Sequence, residues 1–340
     1  MEKDIKELFQ KGEEGIASGD WEKACEILGF ALEKCDRSDD QASAAHARRL
    51  LGDAETLRGR FAEAGSHYMM ALGYLLKSPD ANETAICLRG LGYLHWRKGD
   101  YNMANEYLQQ GLERALQAGN KGAQGCILTD MGNVASSQGK LDAGERLFKQ
   151  AIAALEGITD SNELDRALLN LGDTYMTKGD LIKASDQFEQ AIVQSRMRND
   201  NSNLSWALLN LAECRVRQGY LSKVEDLLTE AKTIMSESGD RVGLAAAKRV
   251  RGQLDMASGD WEEAEDELEN ALADYQEMDM PERRAVVYRL YGEMLVQKGD
   301  KARARTMLEM ALDIFKELGS EKDRDITKGL MEQYAKDGRL

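Results

Sequence analysis

The sequence predicts an all-α fold, a solenoid of about eight helical hairpins closed by one further helix at its C-terminal end. Three observations carry that expectation. A glycine recurs every forty residues, at Gly19, Gly59, Gly99, Gly139, Gly179, Gly219, Gly259 and Gly299, and Asp follows it in five of the eight copies. Small and bulky residues recur in register with that glycine. Only two prolines, Pro79 and Pro281, occur in 340 residues, so nearly the whole chain is free to be helical. Self-similarity at this period marks units that pack only on their neighbours. It removes the two or three globular domains that the length would otherwise suggest.

Each unit (1–40, 41–80, 81–120, 121–160, 161–200, 201–240, 241–280, 281–320) reads as two helices. In the first, apolar residues recur at helical spacing, as in Leu88, Leu91 and His95 or Leu168, Leu171 and Tyr175. The same helix carries an interior small residue in every copy: Gly12, Gly52, Gly92, Gly132, Gly172, Ala212, Gly252 and Gly292. An interior glycine costs about 0.5–1 kcal/mol relative to Ala, so glycines in register predict close approach of the partner helix. After the loop glycine the second helix opens on Trp21, Phe61, Tyr101, Leu141, Leu181, Leu221 or Trp261. It continues with a small residue (Ala24, Ala64, Ala104, Gly144, Ala184, Val224, Ala264, Ala304) and a bulky one (Leu28, Tyr68, Leu108, Phe148, Phe188, Leu228, Leu268, Leu308). A second small residue follows, from Ala31 and Ala71 to Ala311. This small–large–small stripe lets two helices interdigitate.

Polar links join the units: Ser38-Asp39-Asp40, Ser78-Pro79-Asp80, Gly119-Asn120, Thr159-Asp160, Asn199-Asp200 and Gly239-Asp240. They suit a C-cap followed by an N-cap. The last link, Gly319-Ser320, leads to one mostly charged helix at 321–336, as suits a terminal cap. With no internal linker or low-complexity segment, residues 1–340 are expected to be one continuous body.

Composition narrows the function. There are 45 basic and 60 acidic residues, a formal charge of −15, which opposes nucleic-acid and anionic-membrane binding. Cys25, Cys35, Cys87, Cys126 and Cys214 show no ligand-like spacing and read as small apolar residues in a reducing compartment. The charged start, Met1-Glu2-Lys3-Asp4-Ile5, has no signal-peptide core, and no segment approaches membrane-span length. A cytoplasmic location is expected. Catalysis has little to work with: His46, His67 and His95 are scattered, and HExxH, GxSxG and P-loop motifs are absent. Neither an enzyme nor a cofactor is expected.

The run Leu171-Gly172-Asp173-Thr174-Tyr175, then Gly179-Asp180-Leu181, Ala184, Phe188 and Ala191, resembles the tetratricopeptide repeat. The resemblance covers the whole chain. The forty-residue period is similar to that of spindle-orientation adaptors, kinesin light chains and several bacterial and archaeal regulators. Two units depart from the pattern. Lys11 replaces the Leu before the glycine in the first, and Lys248, Arg251 and Asp255 occupy a mainly apolar face in the seventh.

The resemblance implies a right-handed superhelix whose concave groove is lined by the first helices. Groove-facing positions then hold Arg49, Arg89, Leu169, Leu209, Arg249 and Arg289 three residues before the interior small residue, and Asn170 and Asn210 two before it. Asn133, Asp173 and Glu213 stand one residue after it, and Trp96 and Trp206 fall on groove-facing offsets as aromatic anchors. In the adaptors that the chain resembles, Asn at the place of Asn170 and Asn210 holds a partner's main chain; the alternative is that each Asn bonds a neighbouring helix. The arginines could recruit carboxylates, or pair within their own helices, Arg49 with Asp53 and Arg289 with Glu293.

These positions suit a scaffold that binds an extended or helical segment of another protein. A peptide-responsive regulator acting in trans is the alternative. A co-chaperone clamp for a C-terminal carboxylate fits less well, because Thr129, Trp206 and Asn210 stand where basic residues are needed. Self-association through the amphipathic terminal units is also open.

Overall fold

The computed structural model describes residues 2–78, 80–158 and 162–340, so Pro79 and the Thr159-Asp160 link lie outside the described residues. Among the described residues there are seventeen α-helices and no strand. They fall in two compact units, Met1–Lys178 and Gly179–Leu340.

The first unit holds α1 (Glu2–Ser18), α2 (Trp21–Arg37), α3 (Gln41–Leu57), α4 (Phe61–Leu75), α5 (Ala81–Arg97), α6 (Tyr101–Gln117), α7 (Lys121–Ser137), α8 (Leu141–Leu155) and α9 (Glu163–Lys178). The second holds α10 (Leu181–Arg198), α11 (Asn201–Gln218), α12 (Val224–Ser238), α13 (Arg241–Ser258), α14 (Trp261–Glu277), α15 (Pro281–Lys298), α16 (Lys301–Glu317) and α17 (Glu321–Lys336). The last occupies the span expected of the capping helix.

The interior glycines explain how each hairpin closes. A Cβ built on Gly12 would lie 2.5 Å from Leu28, on Gly52 2.7 Å from Tyr68, on Gly132 2.5 Å from Phe148 and on Gly292 2.6 Å from Leu308. In these hairpins the bulky residue of the second helix rests on the bare backbone of the first, a contact no side chain could share. Leu28, Tyr68, Leu108, Phe148, Leu268 and Leu308 are fully or almost fully buried there.

Between hairpins, Asp40, Asp80, Asn120, Asp200 and Asp240 each accept a hydrogen bond from a backbone N–H of the following helix's first turn, at 2.8–3.1 Å. These caps satisfy donors that a helix start leaves open. Loop glycines such as Gly259 (φ 86°) take the left-handed conformation that ends each helix.

One boundary differs from the expected pattern. α12 begins at Val224 rather than Leu221, after Lys223 in the left-handed region (φ 65°). Tyr220 stands where Asp, Arg or Lys follows the glycine elsewhere; α4 and α8 open at the usual place after Arg60 and Lys140 without a side-chain cap, so a missing acceptor does not by itself account for the lost turn.

Within the first unit the first helices of successive hairpins touch side by side, α1 with α3, α3 with α5, α5 with α7 and α7 with α9; in the second, α11 touches α13. Among the described residues the second helices make no comparable contacts with one another. Within the first unit the layer of first helices is therefore the inner one, and α11 and α13 form the matching layer of the second.

Candidate functional site

In the first unit the inner layer is laced by charge. Arg49 donates from Nε to Glu83 Oε1 at 2.6 Å and from its terminal nitrogen to Asp53 Oδ2 at 2.8 Å, while His46 Nδ1 lies 2.9 Å from the same Glu83 oxygen. Burial opposes the Glu83 charge, but the His46 hydrogen bond and the Arg49 charge outweigh it and hold the carboxyl at about 2. Tyr68 hydroxyl donates to the other Asp53 oxygen at 2.6 Å.

One repeat further, Arg89 donates from Nε to Asp130 Oδ2 at 2.6 Å and reaches Glu163 at 3.5 Å. Asp130 is 3% exposed and also accepts from Arg166 at 3.2 Å. Burial pushes the neighbouring Cys126 thiol up to about 11 despite the positive charge of Arg89, so the thiolate is not available as a nucleophile near neutral pH. Trp96 Nε1 donates to Ser137 Oγ at 2.9 Å, which ties α5 to α7 and leaves the ring partly exposed. Asn170 Nδ2 donates to Asn133 Oδ1 at 2.9 Å. Leu169 is buried and Asp173 exposed.

The second unit repeats the theme with other residues. Arg249 forks onto Glu213 with bonds of 2.9 and 2.7 Å. Burial alone would raise the Glu213 carboxyl; the paired guanidinium holds it below its ordinary range. Arg283 lies over the Trp206 ring at 5.9 Å. Leu209 is buried and Asn210 partly buried.

Arg289 donates to Asp323 of α17 at 3.1 Å and lies 5.4 Å over the Phe315 ring. The pair within one helix thus forms for Arg49 and Asp53, but Arg289 passes over Glu293 for the capping helix. Glu293 is left with no ion pair or hydrogen bond among the described residues, and burial raises its carboxyl above the usual range. Sequence reasoning singled out the arginines but not their acidic partners Glu83, Asp130 and Asp323. The signal was present as a carboxylate about one repeat along: Glu83 is 34 residues from Arg49 and Asp323 34 from Arg289.

No cluster of three or more His, Cys, Asp or Glu among the described residues could hold a metal ion. No helix among them is long and apolar enough to cross a membrane.

Stacked hairpins with a polar inner layer define a helical-repeat protein of the interaction-scaffold type. The sequence profile of the tetratricopeptide repeat matches residues 58–117, 124–193 and 243–317, more than half of the chain, which belongs to that family. Comparison with curated proteins found no match.

Solved structures share the architecture. The Rap conjugation gene regulator of the plasmid pLS20, in complex with the Phr* peptide, is 14% identical, over 96% of this chain and 97% of that one, with a TM-score of 0.66. A Rap protein complexed with competence and sporulation factor is 10% identical, over 99% of each chain, with a TM-score of 0.62. Aspartyl phosphate phosphatase F from Bacillus subtilis is 12% identical, over 85% of this chain and 75% of that one, with a TM-score of 0.67. At such identities the likeness is one of fold.

Proposed function

We propose that the chain is a non-catalytic, cytoplasmic scaffold whose inner layer of first helices binds a peptide segment of another protein. The observation that carries this is the amide pair of α7 and α9. Asn170 donates to Asn133, and that single bond leaves the Asn133 N–H groups and the Asn170 carbonyl oxygen without a partner among the described residues. Both side chains are partly buried. Turning both amides over exchanges the roles and leaves the same complement open. An adjacent donor and acceptor match the C=O and N–H of an extended main chain.

The inner arginines have a different role in this reading. Arg49, Arg89, Arg249 and Arg289 already hold carboxylates of the chain itself. They fix the stack, and a ligand carboxylate would have to displace those partners. Asn210, Trp206, Glu213 and Asp173 remain candidate contacts, each within its own unit.

A display library of random peptides selected on the full chain provides the test. Selected peptides should bind the wild type and bind Asn133→Ala/Asn170→Ala more than tenfold more weakly by calorimetry, because each hydrogen bond contributes about 1 kcal/mol. Equal affinity for both, or no selected peptide, overturns the reading. Asn210→Ala tests the second unit in the same way.

The likeness to the Rap conjugation gene regulator in complex with the Phr* peptide favours a second form of the same idea, a regulator whose state a bound peptide changes. Peptide-dependent change in small-angle scattering would separate it from a static scaffold.

A further inference from the structure

The eight second helices carry equivalent outward faces, so each serves as a control for the others. Six are largely polar or charged, and α10 is mixed, with exposed Ile182 and Val193 set among Asp186, Glu189 and Arg196. On α14 the outward heptad positions are Glu262, Asp266, Glu269, Ala273 and Gln276. On α4 the same five positions are Ala62, Ser66, Met69, Gly73 and Leu76, all exposed. Their spacing of four, three, four and three residues is that of a coiled-coil seam.

Met69 is 52%, Met70 59% and Leu76 55% exposed, an unusual use of large apolar side chains on a chain of charge −15. A Cβ added to Gly73 would meet nothing within 4 Å. Unlike Gly52 and Gly132, this glycine serves no contact inside the chain, although it weakens the helix. Seams of small residues are what permit two helix backbones to come close.

We infer that the outward face of α4 is a homodimer interface, where α4 of a second copy packs antiparallel about a two-fold axis at Met70. The charges identify the occupant. Glu63 and Lys77 lie seven residues to either side of Met70, on its flank of the seam, and neither has an ion pair among the described residues. In a two-fold antiparallel pairing, Glu63 of one copy opposes Lys77 of the other, and the reverse pair forms at the other end. The Met70 side chains meet on the axis, where their flexible thioethers fill the gap. Phe30, 49% exposed, holds the Met70 position on α2, and Leu116, 59% exposed, holds the Leu76 position on α6, extending the apolar surface.

Sedimentation velocity on the full chain over a range of concentrations tests this. The wild type is expected to dimerise, and Met70→Glu, which sets two carboxylates against each other, to be monomeric with an unchanged thermal melt. Glu63→Lys and Lys77→Glu should each weaken the dimer at least tenfold, and the double swap Glu63→Lys/Lys77→Glu should restore it. Rescue by the double swap is specific to self-pairing and would not arise if α4 docked a foreign helix. A monomer at every concentration, a dimer indifferent to Met70→Glu, or a double swap as weak as either single change would each overturn the proposal.

Discussion

The third and seventh hairpins solve one packing problem with opposite chemistry. In the third, α5 sets Leu88 and Leu91 into an apolar cluster with Ala64, Tyr68, Ala71, Leu72 and Leu75 of α4. In the seventh, the equivalent positions of α13 are Lys248 and Arg251. Lys248 donates to Asp274 Oδ2 at 2.6 Å, and Arg251 Nε donates to Asp255 at 3.0 and 3.2 Å while its terminal nitrogen pairs with Glu225. Beside this ionic interface lies a cavity of about 500 Å³ lined in part by Leu228, Thr229, Leu244 and Arg251. The hairpin itself still closes as elsewhere, with a Cβ on Gly252 only 2.9 Å from Leu268. The glycine-on-bulky contact therefore builds the hairpin, and the stripe of the first helix beside it accommodates either apolar residues or paired ions, of which Arg251 and Glu225 join the seventh hairpin to the sixth.

That comparison breaks most visibly by exchanging the two solutions. Leu91→Arg places a guanidinium in the apolar cluster with no carboxylate to meet it, and should lower stability by about 4 kcal/mol or more. The reading is a fall in the midpoint of urea unfolding, and a midpoint within experimental error of the wild type would show that α5 can turn its stripe to solvent.

A smaller effect is expected in the seventh hairpin. Arg251→Leu leaves Asp255, only 5% exposed, without its guanidinium and should destabilise by about 2 kcal/mol. Arg251→Leu/Asp255→Leu removes both charges and should return to wild-type stability or exceed it. A double variant no better than the single one would mean that the ions contribute more than mutual neutralisation.

A third test separates charge from packing by pH. The folded Glu83 carboxyl titrates at about 2, below an unfolded value of about 4.3. Glu145, held by hydrogen bonds from Lys149 and Lys178, also titrates at about 2. A lowered folded pKa means that the stabilisation is complete above about 4.3 and is lost as pH falls through about 2. Urea midpoints should therefore drop between those limits, and Glu83→Gln should flatten part of the drop. A variant with the wild-type slope would remove Glu83 from the acid-sensitive set.

Much of the architecture could be read before any coordinates. Gly12, Gly52 and Gly132 were expected to face a close partner, because a glycine repeated in register inside successive helices is best explained by close approach of the partner helix. Asp40, Asn120 and Asp240 marked helix starts through cap chemistry. The capping helix at 321–336 followed from the charge of its sequence and the end of the repeat. The candidate site was less legible. Arg49, Arg89, Arg249 and Arg289 could be placed on the inner layer, but whether a carboxylate from the chain would reach them depends on the distance between successive first helices. The loss of the first turn of α12 was not legible either, because Leu221 occupies the usual opening position.

The sequence by itself determined the repeat, the two helices per unit and the helix face that each residue occupies, because these are set by periodicity and by local backbone preference. Only the tertiary structure decided which charges are already satisfied and which are left open. Arg289 passes over Glu293 for Asp323, and Asn133 and Asn170 spend one hydrogen bond on each other while keeping a donor and an acceptor unfilled. Such pairing is governed by distances between residues some forty positions apart, and those distances exist only once the hairpins are stacked.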